Sequence, residues 1–413
     1  MVYGMQRFMT KATVILLISI FLISGLPSCS QSGIWDQMKA QYYLVSQGLI
    51  WETRVPIDID VSYLSAPISN FPVLVRLHRS DVPTGFLSVD GDDLQFRDAD
   101  GESVLPHEID EWNPLGESLI WVRVPLLTPE SASVRIYLYA GNDNPRHNPR
   151  SREVWDENFA AVFHLSAGGD VVPDSSRYQR NALTNSKPVS NDPELNLDGV
   201  NNRTILAPNP IAAVVGTGYR IDSADSGIII PEEKIPQEFS QMTVSAWVKL
   251  DDIDSSEYSG RRIAHMEKIE FRLQGGERYY IEAYTSGDNL KYSRNSFLDR
   301  DQWVYTAISW NGQTGGQAIV RMSRGVMPGM AGNFSFHASI ADQISGSGNL
   351  TGHLDNPWAI GNSISGGSGV PAVLDEVRIS SVTRSSDWLL TEYLNMAGNI
   401  VTVGTPETLQ YDF

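Results

Sequence analysis

Between Trp51 and about Tyr139 short apolar runs alternate with polar punctuation, the pattern of β-strands. "RVPIDIDV" has a period of two, "FPVLVRL" and "LIWVRVPLL" are strongly β-forming, and "SVRIYLYAG" sets Val134, Ile136 and Leu138 on one face. "DGDD" and "DADGE" lie between them, each with an Asp-Gly pair suited to a tight turn. An antiparallel β domain is predicted over residues 50–147. The polar run "NDNPRHNPRSRE", with its two prolines, marks the boundary.

A second all-β unit is predicted over residues 155–413. Its strands include "AAVFHL", "GYRIDSADSGIIIP", "MTVSAWVKL", "RRIAHMEKIEFRL", "RYYIEAYTS", "QWVYTAISW", "GQAIVRMS" and "AVLDEVRIS". Clusters of Gly, Ser, Asn and Asp separate them at sandwich-like spacing. One helix is predicted over Ser386–Met396, where Trp388, Leu389, Glu392 and Tyr393 make a partly apolar face behind a serine cap. No repeat of fixed period and no glycine-rich phosphate loop stands out.

The N-terminus carries a different signal. Arg7 and Lys11 precede an apolar run, Ala12 to Leu26, and small residues follow, which is the layout of a secretory leader. The run is shorter than the roughly 20 residues that span a bilayer as a helix. Leu26, Pro27, Ser28 and Cys29 resemble a bacterial lipobox, with Pro27 at a place that usually holds a small residue. The resemblance implies removal of residues 1–28, lipidation of Cys29, and a tether over residues 29–49. A thiol is the nucleophile to which a diacylglycerol can be joined, and two or more acyl chains make a stable anchor.

Cys29 is the one cysteine in the chain, so no disulfide is available and the cores must hold the fold unaided. The 413 residues suggest two or three domains. A net charge of −18 argues against nucleic acid, whose phosphates require clustered Lys and Arg. It suits neutral partners or cations.

Catalytic arrangements are weak. In "PHEIDEWN" strand alternation puts Glu108 and Asp110 on one face. Retaining glycoside hydrolysis needs two carboxyls about 5–5.5 Å apart on the sugar, and the next positions of the hydrolase-like pattern hold Trp112 and Asn113. A solvated strand edge is the expectation there. The seven histidines, at 78, 107, 147, 164, 265, 337 and 353, show no zinc-ligand spacing. Gly-x-Ser-x-Gly in "GNSISGGSGVP" lacks a following helix, so a flexible loop is expected rather than a nucleophile elbow. No catalytic residue is assigned.

Aromatic residues are candidates for sugar stacking. Tyr280 and Tyr284 share a face with Glu282 on a predicted strand, and Trp358 lies in the loop-like "DNPWAIGN". Trp247, Trp303 and Trp310 fall within apolar strands and are expected in the core.

"WETRVPIDID", "FPVLVRL", "DLQFRDADGESVLPHEIDEW", "LIWVRVPLL" and "RIYLYAGN", in that order, resemble a bacterial domain of unknown function, number 2341 in its series. From about residue 155, "AAVFHL", "DSSRYQRNA", "MTVSAWVK", "QWVYTAISWNG" and "LDEVRISSVTRSSDWLLTEYLN" resemble a laminin-G-like, concanavalin-A-type sandwich. The resemblance implies an all-β chain, an antiparallel β-sandwich domain followed by a concanavalin-A-like jelly-roll sandwich, with non-catalytic binding of a glycan or envelope protein. Asp174 and Asp375 occupy positions where related sandwiches hold one structural calcium; the alternative is an Asx turn at Asp174 and a strand end at Asp375. Some relatives occur beside Tol/Exb-type proton channels, which implies a rival role as a structural accessory. A lipid-anchored location at the outer membrane or cell surface is expected, with membrane contact through the anchor.

Overall fold

The structure, a computed structural model, describes residues 51–83, 90–142, 149–166, 168–184, 206–231, 241–251, 260–266, 269–274, 280–282, 300–310, 320–326, 339–340 and 357–410. Cys29 and Tyr284 lie outside these residues. Among the described residues no helix is long and apolar enough to cross a membrane.

The fold is all-β, built from antiparallel sheets, as the alternation predicts. In the first unit Thr53–Asp60 shows a strict burial alternation, with Val55, Ile57 and Ile59 fully buried, because a strand turns successive side chains to opposite faces. It pairs with Ser133–Ala140, which pairs in turn with Leu94–Asp98 and then Val104–Leu105. A second sheet of three strands, Ile68–His78, Glu117–Leu127 and His107–Glu111, packs against the first over a shared core.

The second unit is a sandwich. Its eight-stranded sheet includes Thr217–Ile221, Ala372–Ser380, Met242–Leu250 and Trp303–Trp310, with Phe159–Phe163 also pairing to Ala372–Ser380. Its seven-stranded sheet includes Ile269–Gln274, Arg261–Met266, Trp358–Ile360 and Ile228–Ile230. Val244, Ala246 and Val248 point between the two sheets, with Phe163, Leu374 and Ile360. Trp247, from the alternate positions, joins the core of the first unit. So the outer face of the eight-stranded sheet is also buried.

Two things cover it: the three-stranded sheet and the helix Ser386–Met396. The Ser385 hydroxyl accepts from the Trp388 N–H at 3.1 Å, the predicted serine cap. Asn395 bonds both backbone groups of Leu74, accepting at 2.7 Å and donating at 3.1 Å, as a neighbouring strand would. Asp387 accepts from Ser65 and Ala66.

The structure corrects several expectations. The C-terminal segment is not part of the sandwich: Val401–Val403 and Glu407–Thr408 pair with Thr53–Asp60, completing the first unit's sheet. "GYRIDSADSGIIIP" is two strands in different sheets, turned by Gly227 at φ +158, whose Cβ-free approach leaves room beside the Ile360 carbonyl. "RRIAHMEKIEFRL" is likewise two strands, Arg261–Met266 and Ile269–Gln274, paired antiparallel. "GNSISGGSGVP" is tightly held, because Asn362 donates to Ala224 and Ser226 carbonyls and accepts from the Ser363 and Ser368 amides.

Candidate functional site at the junction of the two units

The chemistry of the described residues concentrates where the two units meet. Ala372–Ser380 is the organising strand. Ser245 pairs with Arg378 and Trp247 with Asp375, so Glu376 and Val377 together oppose Ala246 in a β-bulge. Glu376 takes a left-handed backbone at φ 51, a conformation that costs a non-glycine residue roughly 1–3 kcal/mol. The bulge breaks the two-residue period. Leu374 and Val377 point into the sandwich core, while Asp375, Glu376 and Arg378 all face the first unit and are fully or almost fully buried.

The first unit answers with a bulge of its own. Ile109 pairs with Ile120 and Glu111 with Leu119, leaving Asp110 as the extra residue. Glu108 and Asp110 share a face as the alternation predicts, but it is not a solvated edge. Asp110 has a side-chain exposure of only 2%, because the face packs on the sandwich. Glu108 accepts from Trp155 Nε1 and from the Ser175 hydroxyl, both at 2.6 Å. Asp110 Oδ1 accepts from the Ser166 hydroxyl at 3.0 Å.

His164 sits between these acids. Phe163 before it points into the sandwich, so strand alternation sends the imidazole outward to the junction. Its Nδ1 lies 2.7 Å from Glu376 Oε1 and 3.7 Å from Asp110 Oδ2, and its Nε2 lies 3.7 Å from Glu108 Oε2. The ring stacks on Trp121 at 5.7 Å and 17°. Arg378 Nη2 donates to Glu376 Oε2 at 2.7 Å, and Nη1 lies 3.2 Å from Glu392 Oε1. Its guanidinium lies over the rings of Trp121 and Trp155, at 4.6 and 4.9 Å. Glu392, on the helix, also accepts from Trp388, Tyr305 and Ser245.

Electrostatics follow from burial. Burial opposes a charge on His164, but Asp110 and Glu376 outweigh it and hold the imidazole pKa well above its ordinary value. Burial, though relieved by His164, pushes the Asp110 carboxyl up to about 6. Burial and then the neighbouring Glu376 raise the Asp375 pKa, while its Oδ2 accepts from the Val215 N–H at 2.8 Å. Glu376 moves the other way: burial raises its pKa, yet His164 and Arg378 pull it below the usual value. Five acidic side chains, Glu108, Asp110, Asp375, Glu376 and Glu392, thus surround two cationic ones, His164 and Arg378.

Other predicted site residues fall elsewhere. Asp174 uses both carboxylate oxygens locally, accepting from the Val162, Ser176 and Arg180 amides and the Ser176 hydroxyl, the Asx-turn arrangement. Asp375 shares none of those partners. Among the described residues, the one group of three acidic or histidine side chains with ligand atoms within 4.8 Å is Asp110, His164 and Glu376. Trp358 is not an exposed loop residue: it opens a strand and is fully buried between the two sheets of the sandwich. Tyr280 begins the edge strand Tyr280–Glu282, in register with Gln274. His164 and Arg378 were missed by sequence reading because neither sits in a motif with ligand-like spacing.

Comparison with known proteins agrees with this architecture. Residues 90–162 match the family described as Domain of unknown function (DUF2341), and residues 222–321 match the Concanavalin A-like lectin/glucanases superfamily. The chain therefore joins a domain of the first kind to a concanavalin A-like sandwich, in the expected order. No curated protein matches. Among solved structures, domain 4 of AbnA, a GH43 extracellular arabinanase from Geobacillus stearothermophilus in complex with arabinotriose, is 15% identical at a TM-score of 0.37. That likeness covers 57% of this chain and 98% of the domain. Trypanosoma rangeli sialidase in complex with the inhibitor DANA is 12% identical at a TM-score of 0.36, over 71% of this chain and 42% of the sialidase. Likeness at this level is too weak to bear on function.

Arg378→Met removes the cation from between Glu376 and Glu392 and leaves both acids buried without it. Breaking a buried pair in this way costs about 3–5 kcal/mol. Urea denaturation should show that loss, and a variant as stable as wild type would contradict the assignment of Arg378 as the cation that holds the junction.

Proposed function

We propose that the chain is an exported, lipid-anchored binding protein whose sandwich recognises carbohydrate without cleaving it, at the outer membrane or cell surface. The observation that carries this reading is the match of residues 222–321 to the concanavalin A-like lectin/glucanases superfamily, a fold whose description names sugar binding and sugar cleavage together. The division between them rests on the acids. The pair that most resembles glycosidase hardware, Glu108 and Asp110, is engaged by Trp155, Ser175, Ser166 and His164, and Asp110 is closed to a substrate. A ligand must therefore come to another surface. The outer face of the eight-stranded sheet is occupied by the first unit, which leaves the seven-stranded sheet and the loops at the ends of the sandwich. Tyr280, on that sheet's edge strand, is the retained candidate for stacking on a sugar ring, and one structural calcium ion shared by Asp174 and Asp375 remains part of the proposal.

A glycan array probed with the purified protein should give selective binding, weakened in Tyr280→Ala, with no reducing ends released from the bound glycans. Hydrolysis of a bound glycan would overturn the non-catalytic half of the reading. Absence of any glycan signal would overturn the carbohydrate half and favour a protein ligand.

Lipidation has its own readout. If the Cys29 thiol carries the anchor, Cys29→Ala should move the protein from the detergent phase to the soluble fraction. Wild type found in the soluble fraction and unmodified would contradict the anchor.

A further inference from the structure

We propose that Asp110, His164 and Glu376 form a binding site for one divalent first-row transition metal ion, with zinc the best fit. The three contribute ligand atoms that lie within 4.8 Å of one another. Zinc bonds to oxygen and nitrogen of about 2.0–2.2 Å place neighbouring ligands of a tetrahedron roughly 3.3–3.6 Å apart. His164 Nδ1 stands 3.7 Å from Asp110 Oδ2 and 2.7 Å from Glu376 Oε1, and no pair of ligand atoms exceeds 4.8 Å, so shifts of about 1 Å would seat the ion. An imidazole beside two carboxylates suits zinc and its neighbours rather than calcium, which takes oxygen ligands alone.

Two further observations separate this group from an ordinary acidic cluster. The first is an unpartnered polar atom inside it. Asp110 Oδ2, which faces His164 Nδ1, has no hydrogen-bond partner, on a side chain exposed by only 2%. The second is the outer shell. Metal-binding side chains are held by hydrogen bonds to their non-ligating atoms. Here Ser166 donates to Asp110 Oδ1 at 3.0 Å and Arg378 donates to Glu376 Oε2 at 2.7 Å. Glu108 Oε2 lies 3.7 Å from His164 Nε2, on the side of the ring away from Nδ1 and beyond hydrogen-bond length. Asp110 and Glu376 are thus oriented from behind. Water would complete the coordination.

The charge balance points the same way. An ion brings two positive charges to a space where the acidic side chains Glu108, Asp110, Asp375, Glu376 and Glu392 outnumber the basic ones, His164 and Arg378.

The test uses purified protein stripped with a chelator and titrated with Co²⁺, then with Zn²⁺. One equivalent of cobalt should give a visible absorption band that zinc abolishes and calcium leaves alone, with a rise in melting temperature. Removing a side chain that merely holds a metal ligand costs about tenfold or more in affinity, and removing a ligand itself costs no less. His164→Gln and Asp110→Asn should therefore weaken cobalt binding by at least about that factor. Absence of a saturable band, or a band unchanged in both variants, would overturn the proposal. Should the variants fail to fold, anomalous diffraction from zinc-soaked wild-type crystals decides it: a peak between Asp110, His164 and Glu376 supports the site, and its absence there refutes it.

Discussion

Everything at the junction depends on one departure from strand geometry. A regular strand would send Asp375 and Glu376 to opposite faces, one of them into the apolar interior of the sandwich, where an unpaired charge is prohibitively costly. The bulge at Glu376 turns both acids, and Arg378 after them, toward the first unit. The strain at φ 51 is held in place because Glu376 is fixed at both oxygens, by His164 and by Arg378. Asp110 stands at a second bulge on the facing sheet. Two irregular strands thus meet across one polar core.

The two units cannot then be treated as beads on a linker. One apolar cluster runs from Val55, Ile57 and Phe71 in the first unit through Trp121 and Trp155 to Trp247, Tyr305 and Tyr393 in the second. The chain crosses the junction again at its end, where the last strands complete the first sheet. Arg76 reaches over as well, donating to the carbonyls of Val214 and Met396, the latter at the end of the helix. The sandwich therefore spends one of its outer faces on internal packing, and recognition falls to what remains.

Much of this was legible in the sequence. Thr53–Asp60 and Ile68–His78 follow from composition and period, and the helix from its serine cap and apolar face. Period two sets Glu108 and Asp110 on one face, but it cannot say whether that face meets water or protein. The partners that bury it, Ser166 and His164, lie more than fifty residues away in the chain. Bulges were invisible for a related reason: nothing in "LDEVRIS" or "HEIDE" distinguishes a residue that pairs from one that is skipped. Trp358 looked loop-like because "DNP" precedes it, although its own strand is short and central. The terminal strands are three and two residues long, too short for periodicity to reveal.

The central claim is that the two units are one cooperative body, and native-state hydrogen exchange tests it most directly. Amides of Val73–Val75 and Ile120–Val122 in the first unit should exchange with the same opening free energy as those of Val244–Val248 in the sandwich, all reporting global unfolding. Exchange of the first-unit strands through a separate, lower-energy opening, while the sandwich stays protected, would contradict the account.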